Sequence, residues 1–180
     1  MPEKKWSKVK KKIESFICDS LKDKVQFRVT NYRKAHDQTG RAFITVDKKE
    51  VFSMSTLAAD NAMYEVEQEI MAQQNIDYDV YNGPQNVDIQ SQAHEKIKAE
   101  GVFSQADFFD AVEEYLSSSI EVSLKSNHII IKILSLIDRR VGKRSLKKMA
   151  ISIEQEKEIV KYFYYLRCEA EGLENMCKKI

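Results

Sequence analysis

The period of the apolar residues changes twice along this chain, and that constrains its fold more than any other feature. Trp6, Val9, Ile13, Phe16, Ile17 and Leu21 recur in steps of three and four, with lysines between them. Such spacing keeps one face of a helix apolar and predicts an amphipathic helix of about 18 residues. The period then drops to two. Val25, Phe27 and Val29 alternate with Gln26, Arg28 and Thr30, as in a half-buried strand. "RAFITVD" and "EVFSMS" read as two further strands around the tight turn "DKK". The polar turn "KAHDQTG" precedes them, with Gly40 expected to supply a positive φ. Two hairpins in series make a three-stranded antiparallel meander. The helical period returns over "LAADNAMYEVEQEIMAQQ", where Ser55 or Thr56 can cap the first turn.

Residues 1–74 therefore read as α-β-β-β-α. The stretch 75–86, "NIDYDVYNGPQN", has no helical period and holds Gly83-Pro84, so it reads as a linker. Residues 87–180 read as an α-helical part. One helix ends at Gly101, and Ser104 with Asp107 has the spacing of a capping box. "HIIIKILSLIDRR" is expected to run as one helix, capped by Ser126 or Asn127 and stopped by Gly142. Arg139 and Arg140 would then lie at the negative end of its dipole. Ser152 is expected to cap the last helix, with Ile159, Phe163, Leu166, Ala170 and Leu173 as its apolar line. The fold class is α+β, and only 5 Gly and 2 Pro interrupt it.

Charge is segregated although the net value is only +1. Residues 1–50 hold 14 Lys and Arg against 7 Asp and Glu; residues 51–114 hold 2 against 13; residues 115–180 hold 13 against 8. Opposed blocks of this kind can neutralise each other within the molecule or steer a partner, including a second copy. The three cysteines, Cys18, Cys168 and Cys177, form no C-x-x-C pair. That pattern suits a reducing compartment. No apolar run follows the N-terminal charges, and none is long enough to span a bilayer. A cytoplasmic protein without a membrane segment is expected.

The sequence carries no phosphate-loop, dinucleotide or H-E-x-x-H pattern, and no cofactor is expected. One enzymatic pattern can be assembled. Asp37, Asp47 and Lys49 spell D…D-x-K, with Glu14 on the preceding helix, the set that metal-dependent nucleases use to hold magnesium and activate water. Asp47 also falls where the second hairpin must turn, and His36-Asp37 lies in the first turn, so turn chemistry is the simpler reading. The α-β-β-β-α order is shared with double-stranded RNA-binding domains, but the second helix here begins without a cation.

Two segments suggest contact surfaces. Arg139, Arg140, Lys143, Arg144, Lys147 and Lys148 crowd into ten residues. They could bind an anion such as nucleic acid, or form a solvated face paired with the acidic middle of the chain. No aromatic residue is interleaved for base stacking. Tyr162 to Tyr165 place four aromatics in a row on the last helix. A one-sided core needs about two; the remainder, drawn from Tyr162, Tyr164 and Tyr165, are interface candidates, with a larger core as the alternative.

The phrases "YRKAHDQTGRAFITVDKKE", "LIDRRVGKRSL" and "YLRCEAEG" together resemble a family of uncharacterised bacterial proteins from bacilli and relatives. The likeness runs over essentially the whole chain. It implies a small cytosolic protein and carries no catalytic residue, cofactor or substrate to any position. The expected function is non-enzymatic binding, by self-association or to a protein partner. Nucleic-acid binding through 139–148 is the alternative, and a metal-dependent nuclease the second alternative.

Overall fold

A computed structural model describes residues 6–31, 39–76 and 85–173. Most of the expected linker, the His36-Asp37 pair and Cys177 lie outside these residues. In order come α1 (Trp6–Phe16), β1 (Val25–Asn31), β2 (Gly40–Val46), β3 (Lys49–Ser55), α2 (Thr56–Gln74), α3 (Gln85–Glu100), α4 (Gln105–Ser117), α5 (Ile120–Lys125), α6 (Ile129–Leu136), α7 (Lys143–Met149) and α8 (Glu158–Ala170), with a short 3₁₀ helix at Ile153–Gln155. The sheet order is β1-β2-β3. The expected helix, three-stranded sheet, helix and helical remainder are all present, and the fold is α+β.

Local chemistry explains several boundaries. Ser55 caps α2, its side chain accepting from the Ala58 amide. The capping box before α4 is complete. Asp107 Oδ2 accepts from the Ser104 amide at 2.7 Å, and Ser104 Oγ accepts from the Asp107 amide at 3.1 Å. Gly101 adopts φ 93° after α3, the left-handed exit for which a glycine is suited. Gly40 does not adopt a positive φ. It opens β2, where an added Cβ would lie 2.5 Å from Gln105 Oε1 and 2.7 Å from Asn31 Oδ1. Close approach, not a left-handed turn, is what a side chain at position 40 would meet, and the ends of Gln105 and Asn31 would have to shift to admit it.

Other boundaries differ from the sequence expectation. α1 has 11 residues and stops at Phe16. Beyond it, Ile17 forms an antiparallel bridge with Asp138. The Arg139 amide donates to Phe16 O at 2.7 Å, and the Cys18 amide to Ile137 O at 2.9 Å. Tertiary pairing takes over the backbone groups that a longer helix would have used. α6 stops at Leu136, so Arg139 and Arg140 lie outside it and not in its last turn. Gly142 stands before α7 in an extended conformation. The last helix starts at Glu158, well after Ser152.

The chain divides into two compact units. One comprises Met1–Arg28, Phe43–Phe52 and Phe109–Ile180; the other comprises Val29–Ala42 and Ser53–Phe108. In the first, seven of the eight α6 residues are buried, and α6 packs on α5 and α8. In the second, α2 packs on α3 around Ala59, Val66, Ala93 and Ile97, with Met63 and Ile70 beside them. No helix of the described residues is long and apolar enough to cross a membrane.

Candidate functional site

The six cations sit in two different settings. Arg140 belongs to a knot built on the bridge between α1 and the strap that follows α6. Asp138 is fully buried there. Its Oδ1 accepts from the Arg140 amide at 2.7 Å, and its Oδ2 accepts from Arg140 Nη2 at 2.6 Å and Nε at 2.9 Å. The Tyr115 hydroxyl also donates to Oδ2. The Arg140 guanidinium stacks 4.2 Å from the centre of the Phe16 ring, so the cation meets a π face as well as a carboxylate. Burial first, and then the bond to Asp138, pushes the Tyr115 hydroxyl up. The bond to Asp138 likewise holds Arg140 above its ordinary value. A buried carboxylate is costly unless paired and hydrogen-bonded, and Arg140 and Tyr115 satisfy this one.

Arg167 forms the other half of the same structure. It is 3 % exposed. Its Nη1 donates to Leu136 O at 3.2 Å and Asp138 O at 2.9 Å, and its Nη2 donates to Val141 O at 2.8 Å. Its Nε donates to Glu171 Oε1 at 3.0 Å. One guanidinium from α8 thus satisfies main-chain oxygens at the end of α6 and along the strap. Neither Asp138, Tyr115 nor Arg167 was a candidate from sequence. The available signal was a charge placed where helical period puts the core. The buried line of α8 is Val160, Phe163, Tyr164, Arg167 and Cys168. It is rotated from the expected line because that reading excluded a charged residue.

The remaining cations are exposed. Lys143 donates to Glu171 O at 2.7 Å and lies 4.0 Å from its carboxylate. Arg139, Arg144, Lys147 and Lys148 are exposed and have no acidic partner among the described residues. Within α7, Lys143 and Lys147 form one row and Arg144 and Lys148 the next, while Leu146 is buried. Ala150 keeps a right-handed helical backbone past α7. Ile151 then stands 84 % exposed at the end of the basic face.

The aromatic candidates separate. Tyr164 is buried, its hydroxyl donating to Leu146 O at 3.0 Å. It is core, the alternative to a surface patch, and its hydroxyl is taken up by the α7 main chain. The Tyr165 hydroxyl donates to Glu154. Tyr162 is 41 % exposed, and burial together with the Asp47 charge raises its hydroxyl above the ordinary value.

For the nuclease set, Asp47 and Lys48 form the β2–β3 turn, with φ 49° and 67°. Glu14 pairs with Lys10 at 3.6 Å, and Asp37 lies outside the described residues. No group of three His, Cys, Asp or Glu is placed to hold a metal among the described residues. A Ser-Asp-His cluster does occur in the second unit. His94 Nε2 lies 2.8 Å from Asp107 Oδ1, and Ser104 Oγ donates to Asp107 Oδ2 at 2.7 Å. Asp107 stands between the other two, so the histidine has no contact through which to activate the serine. The cluster caps a helix.

These features define an α+β protein with a buried carboxylate held in an ionic knot and an exposed basic helix at α7. The chain belongs to the SF0329 protein family, whose model matches residues 5–168. No curated protein and no solved structure matches the chain.

Proposed function

We propose that the protein acts by binding, as an interaction module that associates with itself or with a protein partner, and that its contact surface is α7 with Arg139. The observation that carries this reading is the exposed basic face, where Arg144, Lys147 and Lys148 have no acidic partner among the described residues. Cations left without partners on one side of a short helix favour an external anionic surface. A bacterial cytoplasmic setting belongs to the same reading, and the buried Cys18 and Cys168 fit a reducing compartment. Retention on an immobilised polyanion at low salt tests whether the face is available. Wild type should be retained, and Arg144→Glu with Lys147→Glu and Lys148→Glu should flow through with an unchanged circular dichroism spectrum. Wild type passing straight through at low salt would end the proposal.

The same face gives the nucleic-acid reading a specific basis, since two adjacent rows of cations can follow a phosphate backbone. Arg140 is no longer part of that reading, because Asp138 and Phe16 hold it. The diagnostic variant becomes Arg144→Ala with Lys148→Ala, read by mobility shift of duplex DNA and RNA across a salt series.

A further inference from the structure

We infer that the partner of the basic α7 face is the outward face of α2 on a second copy of this chain. The inference rests on the proposal that α7 is a contact surface, and it names what that surface meets. α2 holds no Lys or Arg in its 19 residues. At about 100° per residue, Ala59, Val66, Met63 and Ile70 share the side that packs on α3. Over the first part of α2, Leu57 and Tyr64 fall on the opposite side, with Asp60 and Glu65 on either flank; farther along that side Met71 is buried. Leu57, Tyr64, Asp60 and Glu65 are exposed, Leu57 at 60 % and Tyr64 at 58 %. Asp60 and Glu65 have no cationic partner among the described residues.

The two faces therefore complement each other in both charge and polarity. One presents four cations and an exposed isoleucine; the other presents carboxylates around an exposed leucine and tyrosine. A second copy supplies the acidic 51–114 block as the ligand. An apolar centre with charged surroundings is also the general anatomy of a protein interface. Pairing in both directions at once closes a two-fold dimer, and pairing in one direction gives a ring or an open chain of copies.

Sedimentation velocity of the full chain at rising concentration tests this. At low ionic strength wild type should form species larger than monomer, and these should disappear at high salt, where exposed charges are screened. Asp60→Lys with Glu65→Lys reverses one face, and Arg144→Glu with Lys148→Glu reverses the other. Each variant alone should be monomeric, and an equimolar mixture of the two should associate again. This restoration could not come from misfolding, and circular dichroism of each variant checks the fold. Wild type retained on the polyanion but monomeric at every concentration would overturn α2 as the partner and leave the α7 surface standing. Association that survives the α2 reversal but not the α7 reversal would also overturn it, by assigning the basic face to another surface.

Discussion

Asp138 shows how far a single residue can depend on its surroundings. In "SLIDRRV" it reads as the polar end of an apolar run, yet it is fully buried and holds Tyr115 and Arg140 in place. Tyr115 gains from this while it is neutral. Its folded pKa lies above the free value of 10.0, so its contribution is complete below that pH and declines as the pH rises and the unfolded tyrosine ionises. The expected result is a wild-type stability that falls faster above pH 10.0 than that of Tyr115→Phe. Denaturant midpoints of the two proteins across that range check it, and parallel curves would count against it. Arg167 makes a separate prediction. An ammonium cannot span the three main-chain oxygens that its fork reaches. Arg167→Lys should therefore lose about 2–3 kcal/mol in a denaturant titration, whereas a loss below about 0.5 kcal/mol is what an ordinary surface substitution gives.

At the scale of elements, the strands and the capped helices were legible because their signals are local. Alternation at Val25–Val29, the Ser55 cap and the Ser104–Asp107 box each need only neighbouring residues. Helix lengths were not legible where a distant segment competes for the backbone, as at Phe16 and Leu136. The β2–β3 turn carries a local strain that suggests a test. Asp47 and Lys48 both adopt positive φ, which the hairpin twist favours but a side chain at position 48 resists. Lys48→Gly should raise stability by about 0.5–1 kcal/mol. A lower thermal midpoint for the variant would show that Lys48 makes a compensating contact.

At the scale of the whole molecule, a net charge of +1 conceals opposed surfaces. The proposed association of copies follows from that arrangement, and its salt dependence is the signature to measure. The block totals alone pointed to pairing within the molecule or across a dimer; side-chain exposure narrowed the choice by leaving the cations of α7 and the carboxylates of α2 facing outward. Hydrophobic period and turn chemistry act over a few residues, so the sequence by itself determined the α+β class, the element order and the location of the basic segment. Burial and ion pairing join residues far apart in the chain. Only the tertiary structure could decide that Asp138 and Arg167 are internal, that Tyr164 is core, and that α7 keeps its cations outside.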